Sequence, residues 1–376
     1  MALGLAAAQR SLGGQAAIWS TDGEQELADL AQERGLPDDL VRRFAVVGPA
    51  RLAYSPDAER AALSADGAQY AVLHLHSLWT ACSHLSLRWR EKYQRPTIIA
   101  PHGSLKPWAM RRSVLRKRLS LWAYEAKNFR TAACFHALSE SEVPDFRDFG
   151  LRNPIAIIPN GIAEDWLAST GDGERFRAAC AIPADKRLLL FLSRITPVKG
   201  LPLLLRAMAA SRAALRDWLL ILAGPNEFGH QQELEDLVGE LSLSNLVRFV
   251  GPLYGQQKRD VFAAAELFVL PSLSEAAPMA ALESLGTGTP VLTTEAVSLP
   301  ELTREACGWR TAIADTAIAE ALCAAIALSP EELQVMGQRG KAIVGQCYTW
   351  RQAAARSLAC YRWLLGEGER PDFVLT

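Results

Sequence analysis

Residues 267–291 read Leu-Phe-Val-Leu-Pro-Ser-Leu-Ser-Glu-Ala-Ala-Pro-Met-Ala-Ala-Leu-Glu-Ser-Leu-Gly-Thr-Gly-Thr-Pro-Val, and this stretch constrains the fold more than any other. The apolar run 267–270 predicts a short buried strand. A loop follows, then a helix that begins near Pro278 and is stopped by Gly286 and Gly288, then a new strand over 290–293. Proline suits the first helical position, where its missing N–H would have no partner. The free N–H groups of that first turn, with the positive end of the helix dipole, form an anion site beyond the strand's carboxyl end. Glu275 in the loop and Glu283 on the second turn add two carboxylates there. Anion-binding backbone flanked by acids suits a ligand that is both phosphate and polyol, and a nucleotide sugar is such a ligand.

The same alternation of strand and helix runs through the chain. An Ala/Leu-rich helix over 2–9 comes first, with no strand before it, and a strand over 15–19 follows. Next are a helix over 24–34 and strands over 44–47, 70–75 and 97–100, the last two separated by a helix over 78–91. A long helix over 110–127, a strand over 131–138, a helix capped by Ser139 with Glu142 three residues on, and a strand over 155–158 complete this half. Pro159-Asn160-Gly161 is a turn signal that marks a boundary. Beyond it, strands over 187–193, 218–223 and 246–250 alternate with helices over 201–211, 231–241 and 256–265, and helices over 312–345 and 350–365 follow the 290–293 strand. Such alternation means parallel sheets with helices on both faces. A chain of 376 residues exceeds what one core usually supports. The expectation is therefore an α/β protein of two doubly wound, Rossmann-like domains, residues 1–160 and 161–349, with ligands at the carboxyl ends of the strands in the cleft between them.

A formal charge of -1 is not the basic excess of a nucleic-acid binder. No apolar run reaches the roughly 18 residues that cross a bilayer, and Met1 precedes a short Ala/Leu segment without a basic region; both predict a cytoplasmic protein. Seven cysteines scattered from Cys82 to Cys360 form no Cys-x-x-Cys pair and no zinc-spaced cluster, so reduced core thiols are expected.

A cationic feature points to the same ligand. The strand over 187–193 ends in Ser193-Arg194-Ile195-Thr196-Pro197-Val198-Lys199-Gly200, which puts Arg194 at the strand's carboxyl end and Lys199 at the opening of the next helix. A lysine there meets the wrong end of the dipole, at about 0.3–1 kcal/mol, unless an anion offsets it. A diphosphate would. Gly224, in Leu222-Ala223-Gly224-Pro225-Asn226 after the next strand, allows close backbone approach by a nucleotide or simply forms a turn.

Together, Ser193-Arg194 with Lys199-Gly200, Leu222-Ala223-Gly224, and Glu275 followed eight residues later by Glu283 resemble the retaining glycosyltransferases of the GT-B fold, family 4 (group 1). The likeness covers nearly the whole chain, including a closing helix, 350–368, that in this family crosses back onto the N-terminal domain. The resemblance implies that Arg194 and Lys199 hold the donor diphosphate, that Glu283 bonds the ribose hydroxyls, and that backbone amides near Met279 and Ala280 meet the phosphates. It implies that Glu275 contacts the transferred sugar and that His102, in Pro101-His102-Gly103 of the opposite domain, faces donor sugar and acceptor. Such enzymes use no bound metal or cofactor, and this chain has no Asp-x-Asp motif. Ala276-Ala277 replaces the Gly-Phe or Gly-Leu of many relatives and is similar to the lipopolysaccharide core transferases. Such relatives also open with a strand and glycine-rich loop that are not visible here, from which low stability and activity are expected. The alternative is a truncated, inactive relative that binds nucleotide only. A nicotinamide dehydrogenase is a third reading, weakened because Gly286-x-Gly288 follows a helix rather than a strand.

The acceptor half carries one further signal. Trp108 to Trp122 interleaves Arg111, Arg112, Arg116, Lys117 and Arg118 with Trp108, Met110, Leu115, Leu119 and Leu121. A basic amphipathic helix of this kind either rests on an anionic membrane, as a lipid-linked acceptor would require, or packs its apolar stripe on the sheet. His74 and His76, at a strand end, could line the acceptor side or serve the structure.

Overall fold

The computed structural model describes residues 1–21, 37–168, 170–275 and 277–376; the helix expected over 24–34 lies outside them. The chain divides into two compact units, Met1–Gly161 with Trp350–Thr376, and Ile162–Thr349.

In the first unit, β1 (Ile18–Ser20) and β2 (Val41–Arg43) form a parallel ladder of their own. β3 (Leu73–Leu75), β4 (Thr97–Ile99), β5 (Cys134–Ala137) and β6 (Ile155–Ile157) are parallel neighbours in sequence order. The pleat sends Ile99 and Phe135 to one face, where Leu75, Trp79, Phe129 and Phe146 pack on them. Ile98 and Cys134 face the other side, covered by Leu5 of the helix Ala2–Ser11 and by Ala353, Ala354 and Cys360 of the helix Trp350–Leu364. Burial on both faces is why these strands read as apolar runs without alternation.

The second unit holds β7 (Arg187–Leu192), β8 (Trp218–Ala223), β9 (Val247–Gly251), β10 (Leu267–Leu270), β11 (Val291–Thr294) and β12 (Gly308–Thr311) in one parallel sheet of order β12-β11-β10-β7-β8-β9. The chain builds outward from β7 through β8 to β9, then returns to the other side of β7 and builds outward again from β10. The reversal between β7 and β10 is a topological switch point, where open α/β sheets leave a crevice at their carboxyl edge. β13 (Val374–Leu375) returns to the first unit and pairs antiparallel with β6.

Several expectations are corrected. The helix expected over 110–127 is broken into Pro107–Met110, Val114–Ser120, a π-helical turn Leu121–Glu125, and Ala126–Thr131. Ser113 at φ +53 interrupts it, and the wide turn ends at the fully buried Glu125, whose carboxylate accepts the Trp79 N–H at 2.7 Å. The strand expected over 44–47 is replaced by Val41–Arg43; Phe44 turns into a small cluster with Trp19. The Ser139/Glu142 capping box does not form: Glu142 accepts from the Leu138 N–H at 2.7 Å, and Ser139 bonds Ser141. Pro278 is the N-cap of the helix Met279–Thr287 rather than its first residue, and Gly286 lies inside that helix while Gly288, at φ +90, ends it.

Candidate active site

At the switch point the loops leaving β7 and β10 are tied together. Leu273 donates its N–H to the Val198 carbonyl at 2.8 Å. Gly200, at φ +67, passes so close to the Pro271 carbonyl that a Cβ would lie 2.0 Å from the oxygen, a gap only glycine permits. This approach sets Lys199 on Glu275, and the two side chains, 8% and 13% exposed, form an ion pair. Lys199 does not open the following helix: Pro197–Lys199 is a 3-10 turn and the helix Leu201–Ala210 starts after Gly200. The lysine therefore meets a carboxylate instead of the repulsive end of a dipole.

The other candidates of the second unit have partners of their own. Arg194 is more than half exposed and donates to both carboxylate oxygens of Glu227 at 3.0 and 3.1 Å. Gly224, at φ +146, is required first by the backbone, since a Cβ there would lie 1.8 Å from the Ser193 carbonyl oxygen. Glu283 is buried, and Lys258 brings its Nζ to 2.6 Å from Oε2. Lys258 stands in the first turn of the helix Gly255–Ala264, 5.4 Å above the Trp166 ring. Met279 and Ala280 begin the helix Met279–Thr287, and the Met279 amide already donates to the Ala277 carbonyl at 2.9 Å. Sequence reasoning missed Glu227 and Lys258; a charge in the first turn after a strand is the signal that could have found Lys258.

His102 belongs to the first unit, two residues past Ala100 in the turn after β4, at the rare backbone angle φ +48. Its Nε2 is 2.9 Å from Nδ1 of His76, and the two rings stack at 17°. His76 and His136 line a hollow of about 220 Å³ with Ile158, Asn160 and Trp350, and the buried Asn160 Nδ2 there has no hydrogen-bond partner among the described residues. Burial, and after it the neighbouring histidines, hold His74 and His76 well below the usual histidine range and bring His102 down to about 3. Burial brings His136 to about 4, against the opposing effect of the Ile158 carbonyl. All four rings are uncharged at neutral pH. Among the described residues no group of three or more His, Cys, Asp or Glu could hold a metal ion.

Two family models tile this architecture: "Glycosyl transferases group 1" matches residues 172–342 and "Glycosyl transferase 4-like domain" matches residues 1–161. The chain belongs to the group 1 glycosyl transferases. The chain is 36% identical over 194 residues, half of its length, to a D-inositol 3-phosphate glycosyltransferase of Saccharomonospora viridis. It spans less than half the length of the curated relatives it matches. Among solved structures it resembles Anabaena HepE in complex with UDP-glucose, with a TM-score of 0.73 and 19% identity over 96% of this chain and 95% of that one. It also resembles WaaG, a glycosyltransferase of lipopolysaccharide biosynthesis, with a TM-score of 0.66 and 18% identity over 97% and 95%. Those likenesses establish the GT-B fold.

Proposed function

We propose that the chain is a retaining, metal-independent hexosyltransferase. It moves a hexose from a nucleoside-diphosphate sugar to a glycan or lipid-linked acceptor in bacterial exopolysaccharide, O-antigen or lipopolysaccharide assembly. The observation that carries this reading is the Lys199–Glu275 pair set at the switch point beside a helix start. HepE binding UDP-glucose supports the donor class, and WaaG supports the pathway. In this reading the second unit binds the donor and the first faces the acceptor. No cofactor takes part, and the nucleotide sugar is a substrate.

The bond from the sugar's anomeric carbon to phosphate oxygen breaks, and the nucleoside diphosphate leaves with the electron pair. The acceptor oxygen bonds that carbon, and its proton passes to the departing diphosphate oxygen. Charge builds on the leaving oxygen, and cations held in place stabilise it better than mobile solvent does. Lys199 and Arg194 supply them, with Gly224 letting the backbone close in; the amide of Ala280 and its neighbours meet phosphate, because that of Met279 is engaged. Glu283 bonds the ribose, held by Lys258. Glu275 meets the sugar hydroxyls and shares Lys199 with the diphosphate. His102 faces the sugar from the first unit.

The test is a screen of nucleotide sugars for hydrolysis and transfer, with and without EDTA. Turnover that survives EDTA, falls roughly 100-fold in Glu275→Ala and keeps the anomeric configuration by proton NMR is expected. Equal rates in the intact protein and Glu275→Ala remove that residue from the mechanism.

The cytoplasmic protein is further proposed to rest on the inner face of an anionic membrane. No described helix is long and apolar enough to cross one. Met110 and Leu121 pack into the first unit's core, and Lys117 is buried over the Trp79 ring. Leu115, Leu119 and Trp122 are instead 82%, 64% and 85% exposed at helical spacing, beside the exposed Arg111, Arg112 and Arg118. An apolar ridge ringed by cations suits an anionic bilayer surface, each inserted side chain gaining about 1.5–3 kcal/mol. Sedimentation with phosphatidylglycerol vesicles at low salt is expected, weakened at least tenfold in the double variant Leu119→Ser/Trp122→Ser. Absence of binding by the intact protein sinks the proposal.

A further inference from the structure

Four of the six histidines form two linked arms in the first unit. His136 Nε2 lies 2.6 Å from the Ile158 carbonyl. A carbonyl only accepts, so this nitrogen carries the proton, and in a neutral ring Nδ1 is left as an acceptor. Across 3.1 Å it faces His74 Nε2, which must therefore be the donor. His74 Nδ1 is then an acceptor, and the Tyr361 hydroxyl, 2.7 Å away, donates to it while accepting from Gln9 Nε2 at 3.1 Å. Every proton in this arm has a single position.

His76 lies against that ordered arm, its ring centre 4.2 Å from that of His74. It forms the second arm with His102 through Nδ1. His102 combines a left-handed backbone angle with an Nδ1 that is buried and has no partner among the described residues. Neither feature favours stability. Their coincidence on one residue marks a nitrogen kept for a ligand.

We propose that His76 is a positioning residue for His102, fixing the tautomer and plane of that ring so that its Nδ1 meets a hydroxyl of the substrate. The His136–His74–Tyr361 arm holds the His76 ring in place. This deepens the glycosyl-transfer reading and rests on it for the identity of the hydroxyl. The groups facing the pair are His74, His136 and the amino group of Met1. None of them is a carboxylate that would favour a charged ring.

The experiment compares His76→Asn, whose amide occupies the Nδ1 position, with His76→Gln, whose amide occupies the Nε2 position, and with His76→Leu. Imidazole nitrogen NMR is expected to show one His102 tautomer in the intact protein and in His76→Asn, and averaged tautomers in His76→Gln and His76→Leu. With UDP-glucose as probe, kcat falls about 10–100-fold in the Gln and Leu variants, while donor KM moves less than about 3-fold and His76→Asn recovers most of the loss. An unchanged His102 spectrum in His76→Gln, or equal losses in the Asn and Gln variants, overturns the proposal. If the intact protein turns over no nucleotide sugar, the glycosyl-transfer reading fails, and the NMR comparison alone decides whether His76 positions His102.

Discussion

Lys199→Met is expected to lower nucleotide-sugar turnover roughly 10²–10³-fold, the loss seen when one fixed group that stabilises developing negative charge is removed. The same change leaves the Glu275 carboxylate largely buried without its cation. Breaking such a pair from one side is costly because the remaining charge stays desolvated; here, with both groups slightly exposed, we expect about 2–4 kcal/mol. The double variant Lys199→Met/Glu275→Gln replaces the pair with uncharged groups of similar size. It should regain most of the stability and none of the turnover. Urea midpoints read the first effect and donor hydrolysis the second, so the structural and chemical roles of the pair are separated by the same three proteins. Donor turnover at the intact rate in Lys199→Met would show that the pair only clips two loops together.

The prominence of this pair shows what sequence could reach. β10 and β8 have the bounds read from their apolar runs, because a strand buried on both faces by crossover helices has no polar alternation to blur its ends. Arg194, Lys199, Glu275 and Glu283 were legible as candidates because the residues after such strands must lie at the sheet's carboxyl edge. Their counter-ions were not. Glu227 lies 33 positions from Arg194, and Lys258 reaches Glu283 from a different crossover, so both pairings depend on which helix lands beside which. The short edge strands β12 and β13 left no signal either, since they have few buried positions to pattern. Ser113 and the turn Leu121–Glu125 broke a periodicity that read as one helix, and the break turns Leu115, Leu119 and Trp122 outward while Met110 and Leu121 face the core.

Acidification from pH 7.5 to 5 is expected to destabilise the first unit through its four histidines. In the unfolded chain each has its ordinary pKa near 6.5. In the folded protein burial lowers His136 to about 4 and His102 to about 3, and lowers His74 and His76 as well. Between the two values the unfolded state binds more protons, so stability rises with pH. The contribution is fully present above the unfolded pKa and is lost as pH falls toward the folded one. At pH 5 the gap to 6.5 amounts to about 2 kcal/mol for a histidine that remains neutral when folded. His136 and His102 together then account for about 4 kcal/mol, with His74 and His76 adding to it. Burial raises the Glu125 and Glu142 carboxyls of the same unit, which works against this slope, but they are two groups against four histidines. Hydrogen exchange of the β5 amides at pH 7.5, 6 and 5 measures the first unit alone. His136→Gln keeps an N–H near the Ile158 carbonyl but removes one titrating ring, and should reduce the slope by one proton. Equal protection at pH 7.5 and 5 would mean that the rings take up protons without cost, and the single-tautomer arm from Ile158 to Tyr361 could not then be the arrangement that orders His76.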